Sequence, residues 1–340
     1  MPSNMKRYLT PIMIVAVCAI ALGPLFSGFF GPDWRARWML AWAANEYQNG
    51  DPANAEKALQ KASEWSSGIA TDTDFWKLKF DLVFNQQNPK SETIRTLVDE
   101  SIALISKVPK GMQAKTATEV GQLFHLKKLH GPAVEVLETF YAPILERSPG
   151  ENNELAYFRS LAKTKLETAL KEIDAALIAD GTSRKEFLDT KAWVLHALNR
   201  DQEAILFADE AIKRLRSEFE KYGVIPAEDR MEFTSWFFPD SEAKPTISEV
   251  QNSDSQNSDS LNSDPNAKIA YPPARDNRLD SFRERFPYIN PIAIEALARQ
   301  VAALRFHRAC ILDELGRNEE SNVEYAWLDE FGYTNTNEIF

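Results

Sequence analysis

The chain has 340 residues, 44% hydrophobic and 26% charged, which is ample material for a packed core and excludes wholesale disorder. Only 13 glycines and long stretches rich in Ala, Leu, Glu and Lys favour helices over sheets, so the predicted fold class is all-α. A formal net charge of −11 without a Lys/Arg stripe repels phosphate backbones and argues against nucleic acid as a partner.

Residues 1–8 make a short tail, and residues 9–30 an uncharged, mostly apolar run. At 1.5 Å rise per residue a helix over that run spans the roughly 30 Å hydrocarbon thickness of a bilayer, so it is predicted to be one transmembrane helix acting as a signal anchor. Lys6 and Arg7 precede it, and Arg35 and Arg37 follow it beside Asp33. That slight bias predicts a cytoplasmic N-terminus and an exoplasmic bulk, in a single-pass protein of the cell or inner membrane. The alternative is a secreted form, since Ala19-Ile20-Ala21 offers the small-x-small pattern of a signal-peptidase site. Cleavage there leaves an apolar leader at the new terminus, which favours the retained anchor. A buried soluble helix fits poorly with the length of the run and with Pro11, Gly23 and Pro24.

From residue 34 to 218 a pattern of helix pairs is predicted. Gly50-Asp51 breaks one helix, and the next carries Ala55, Leu59 and Ala62 on one face, where the alanines admit a neighbouring helix closely and the leucine fills the gap. The grammar recurs at Ala133, Leu137 and Phe140, at Ala169, Ile173 and Ala176, and at Ala204, Ala208 and Ala211. Ala133 to Ala169 is 36 residues and Ala169 to Ala204 is 35. Preceding helices supply a small residue and a bulky one three further on: Gly121 with Phe124, Ala192 with Leu195, and Ala309 with Leu312.

A period near 34 residues with two helices per unit resembles the tetratricopeptide (TPR) repeat family. The resemblance covers about two thirds of the chain, most clearly at residues 187–212 and 308–328. It implies a right-handed αα-superhelix, a solenoid of antiparallel helix pairs, following the transmembrane helix. The unit at residues 75–105 departs from the pattern, with Leu97 and Val98 but no alanine pair in its second helix, and Lys163-Thr164-Lys165 stands where a Gly or Pro turn is usual. An irregular helical bundle is the competing architecture.

Register is lost over residues 219–290, which read as an insert, and returns in a C-terminal TPR-like pair at residues 291–335. The centre of the insert, about 245–270, contains a five-residue polar repeat and is predicted to be a disordered coil linker. Asp254, Asp259 and Asp264 lack the glycine and terminal glutamate of a calcium loop. Aromatic segments 231–238 and 282–288 flank the linker and are expected to fold back as hydrophobic plugs, the alternative being a docking motif for a partner.

Glycine-rich nucleotide loops, a serine-hydrolase elbow and a zinc-protease helix are all missing from the sequence, so no enzyme, cofactor or metal site is predicted. Neither Cys18 nor Cys310 sits in a metal or redox motif. His125 and His130, if on one helix, lie about 140° apart around its axis, which disfavours a shared metal.

In the family, partners lie along the concave surface of the first helices. By register the resemblance assigns Tyr47, Gln122, His125, Trp193 and His196 to that groove, without the basic and amide pairs that clamp a terminal carboxylate. The expected function is a non-catalytic, membrane-anchored scaffold for protein-protein interaction that binds a segment of an unidentified protein. The alternative is an enzyme or small-molecule-binding protein on an irregular helical scaffold.

Overall fold

The computed structural model describes residues 31–85, 89–144, 146–181, 184–221, 225–238 and 278–333. Among the described residues it is all-helical, with fourteen α-helices and no strand. The 9–30 run and the 245–270 linker lie outside the described residues; among the described residues no helix is long and apolar enough to cross a membrane. The chain divides into two compact units, Met1–Arg147 and Ser148–Phe340.

The first unit contains α1 (Pro32–Gln48), α2 (Pro52–Trp65), a 3-10 turn (Ser67–Thr71), α3 (Thr73–Phe84), α4 (Ser91–Ile105), α5 (Lys110–Leu126) and α6 (His130–Tyr141). Gly50 takes a left-handed φ of 81° between α1 and α2, and the Asp51 side chain accepts from the Asn54 amide at 3.0 Å to cap α2, whose first residue is Pro52. The turn folds α2 back along α1. Ala36 and Ala43 on α1 and Ala55 and Ala62 on α2 are all fully buried, and such small residues allow a close crossing.

Residues 75–105 depart from a simple hairpin. Trp76 of α3 donates its indole N–H to the Ala70 carbonyl at 2.7 Å, which seats the 3-10 turn. Instead of forming a tight pair with α4, α3 packs on α5, where the Phe80 and Phe124 rings meet edge-on at 4.7 Å. α4 packs on α6, bridged by Arg95 and Glu135 at 2.7 Å.

The second unit contains α7 (Pro149–Leu161), α8 (Leu166–Asp180), α9 (Lys185–Ala197), α10 (Asp201–Glu220), α11 (Arg230–Phe237), α12 (Arg278–Arg285), α13 (Pro291–Glu314) and α14 (Asn318–Glu330). Ser148 and Glu151 form a capping box that starts α7. Helices pair as α7 with α8, α9 with α10 and α13 with α14, and α13 also packs on α10. Ala169, Ala176, Ala192, Ala204, Ala211 and Ala309 have no exposed surface, as is the case for Ala133 in the first unit. Gly121 is buried too, and a Cβ placed there would meet Leu137 at 3.3 Å.

The aromatic segments of the insert are part of the core. Phe233, Phe237 and Phe282 are fully buried with Phe286 and Phe219, and Phe237 also approaches Phe331 beyond α14 at 5.7 Å. Burying so many rings removes a large apolar area from water, which explains why these segments fold inward. Arg305 of α13 crosses this core: it pairs with Glu324, donates to the Phe237 carbonyl at 2.8 Å and lies 4.8 Å from the Trp327 ring. A second buried pair, Arg159 with Glu172, ties α7 to α8.

Candidate partner-binding face

In the second unit the face of α9 that carries Asp189, Trp193 and His196 follows the i, i+4, i+7 spacing of one helical stripe. α13 contributes His307, 1% exposed, whose Nδ1 lies 2.9 Å from both carboxylate oxygens of Asp189. The carboxylate accepts from the imidazole N–H, which fixes the ring's orientation. The Trp193 indole stacks on that imidazole with 4.3 Å between centroids and 24° between planes. The His196 ring also approaches the Trp193 indole, at 4.9 Å, and is itself held by a 2.6 Å bond from Nδ1 to Asp201 in the first turn of α10. Tyr157 of α7 stands 6.3 Å from His307, and burial, with the Asp189 charge adding to it, pushes its phenol well above the ordinary range.

Trp193 and His196 line a hollow of about 250 Å³. Exposed Lys163 and Asn199, at left-handed φ of 49° and 58°, stand at its rim with exposed Glu314, while buried Ser160 lines it within. These left-handed residues end the turns after α7 and α9 and leave polar side chains at the edge of an aromatic floor. An indole in contact with two imidazoles, each bonded to a carboxylate, offers a rigid apolar surface beside a lysine and a glutamate of opposite sign. That combination suits one inserted side chain better than a large ligand, because drug-sized molecules occupy pockets of roughly 300–1,000 Å³.

No protein-family model matches the chain, and no curated protein does.

The groove positions assigned by register separate between the two units. Trp193 and His196 meet in the second. In the first, the Tyr47 hydroxyl at the end of α1 accepts from the Asn85 amide, and burial with the Asp81 charge raises its phenol. Gln122 is exposed on α5. His125 and His130 require a correction: they do not share a helix, because α5 ends at Leu126 and α6 begins at His130. Lys128, with φ 59°, turns the chain so that the two Nδ1 atoms lie 3.3 Å apart. Burial, and then the neighbouring His130, lowers the His125 pKa to about 4, while burial and Lys128 lower that of His130. Among the described residues no group of three or more His, Cys, Asp or Glu side chains is placed to hold a metal. Cys310 is a free, half-buried thiol 3.9 Å from the Tyr325 hydroxyl, whereas Cys18 and Asp254, Asp259 and Asp264 lie outside the described residues.

Sequence reasoning missed Asp189, His307 and Tyr157. Carrying the register from Ala192 to Ala309 aligns His307 with Thr190, and both point inward, at 1% and 4% exposure. A scheme that collects outward-facing groove positions passes over them.

Proposed function

We propose that this chain is a non-catalytic, membrane-anchored scaffold whose first-helix face holds a segment of another protein. On this reading residues 9–30 are the anchor, Lys6 and Arg7 keep the N-terminus inside, and the helix pairs within each unit stack in the manner of TPR repeats. The Trp193 floor, in contact with the rings of His307 and His196, carries the proposal. Aromatic anchors in small, partly desolvated sockets dominate the energetics of protein contacts, and extended or helical peptides commonly dock one side chain at a time into such sockets. The opposite charges of Lys163 and Glu314 at the rim would orient the incoming segment without favouring a strongly charged one.

A photo-crosslinking residue at position 199, on the rim, tests this in intact cells. Discrete protein adducts that disappear in Trp193→Ala are expected. Adducts that persist unchanged in that variant, or no protein adduct at all, would refute the assignment of this face.

A further inference from the structure

The outward face of α1 is a row of exposed tryptophans. Trp34, Trp38 and Trp42 are 45%, 53% and 41% exposed and recur every four residues, so they form one stripe about 12 Å long. The Trp38 and Trp42 rings lie 5.9 Å apart, and the Trp42 indole donates to Glu46 at 2.6 Å. The opposite face, Ala36, Met39, Leu40 and Ala43, is the one buried in the fold. At the exposed fractions given, the three indoles leave roughly 350 Å² open to solvent, comparable with the largest apolar patch of an ordinary monomer.

We propose that this tryptophan face lies on the interface of a phospholipid bilayer. The inference rests on the reading of residues 9–30 as an anchor and adds a second membrane contact to it. Four observations select lipid as the occupant. First, α1 starts at Pro32, two residues beyond the last residue of the apolar run, so an anchored run delivers its first turn to headgroup depth. Second, Gly31 is extended, with ψ 172°, and Pro32 occupies the first helical position; α1 is therefore a separate helix, free to leave the direction of the preceding segment and run along the surface. Third, Arg35 and Arg37 are exposed on either side of the stripe, by about 100° and 60° from Trp34 on the helical wheel, where they reach lipid phosphates while the indoles sit between headgroup and acyl chain. Fourth, the aromatic character stops after Trp42: exposed Asn45 continues the stripe as a polar surface further from the anchor. Tryptophan is the residue whose apolar ring and N–H both find partners at that depth.

The test uses the full-length chain reconstituted in vesicles of phosphatidylcholine and phosphatidylglycerol, with and without brominated acyl chains. None of the eight tryptophans lies within 9–30, so lipid quenching reads the folded part of the chain. Wild-type emission is expected to fall in brominated vesicles. Replacing Trp34, Trp38 and Trp42 together by Phe should abolish most of that lipid-dependent loss while the protein still floats with the vesicles. Trp38→Phe alone, at the most exposed position, should remove part of it and controls for any disturbance caused by the triple change. Equal quenching of wild type and triple variant overturns the inference, as does a floating protein whose tryptophans are quenched by acrylamide but not by bromine. Shielding from both quenchers, with a doubled mass after crosslinking, overturns it in favour of a second copy on the face. Failure to float refutes the anchor itself and the inference with it, a result distinct from the others.

Discussion

Gly121 sits where α5 crosses α6, and replacing it with alanine sets two effects of similar size against each other. Within a helix alanine is favoured over glycine by about 0.8–1.0 kcal/mol. The new Cβ, however, would lie 3.3 Å from both Cγ and Cδ1 of Leu137, which is fully buried and has little room to withdraw. Overpacking of this kind typically costs about 1–3 kcal/mol. Gly121→Ala alone should therefore destabilise the first unit by about 0–2 kcal/mol, the difference between those two terms. Leu137→Ala removes every atom that the Cβ would meet and should cost about 2–5 kcal/mol by itself. In that background Gly121→Ala keeps only its helical advantage and should stabilise by about 1 kcal/mol, giving a coupling of about 1–3 kcal/mol between the two sites. Because the chain has two compact units, the cycle is best read locally, from native-state hydrogen exchange of the α5 and α6 amides rather than from one melting curve. Equal effects of Gly121→Ala in both backgrounds would show that the two helices do not cross at this point.

Three further outcomes are expected. Asp189→Ala should destabilise the second unit by about 1–3 kcal/mol in chemical denaturation, because the buried His307 loses its acceptor, while Asp189→Asn should cost less. Arg305→Met should cost about 3 kcal/mol, the low end for a broken buried pair, since Arg308 remains 2.6 Å from Glu324; Arg305→Met with Glu324→Leu should cost less than the single change in thermal melts. The His125 pKa, about 4 when folded, lies below its unfolded value near 6.5, so the unfolded chain binds the extra proton between them. Its contribution is therefore complete above about pH 6.5 and is lost as pH falls towards 4; the stability difference between wild type and His125→Gln should fall by about 1–2 kcal/mol across that window, a figure discounted for partial exposure.

The helical class and the close crossings were legible because small residues at fixed spacing have few other uses. Ala55, Ala62, Ala169, Ala176, Ala204 and Ala211 are buried to the last atom; Leu59 and Ile173 marked the first two pairs, and the spacing with Ala208 marked the third. The turns were partly legible. Gly50 and Gly316 announce their left-handed φ by residue type, but Lys128, Lys163, Lys165 and Asn199 adopt the same conformation without glycine. A single left-handed residue costs only about 1–2 kcal/mol, which tertiary packing can offset, so lysine leaves no signal. For that reason the single-helix spacing of His125 and His130 does not apply, and the two stand on either side of a turn.

The core of the candidate face was hidden for a different reason. Asp189 and His307 are 118 residues apart, with the whole insert between them. Only the packing of α9 against α13 joins them, and no local period encodes that. Trp193 and His196 were accessible to register reasoning because they face outward on α9; the carboxylate and imidazole that hold Trp193 in place were not. The aromatic insert shows the same limit. Its ring density announced burial, but not that Phe219, at the end of α10, and Phe331, just beyond α14, complete the cluster.

On the proposed reading the chain holds another protein at a membrane. Native mass spectrometry of the full-length chain, extracted gently from its own membranes, tests it most directly. The account predicts a species heavier by the mass of a polypeptide, lost in Trp193→Ala while the chain itself still partitions with membranes. A chain that carries only a small-molecule mass increment, or that separates from membranes without detergent, would contradict it.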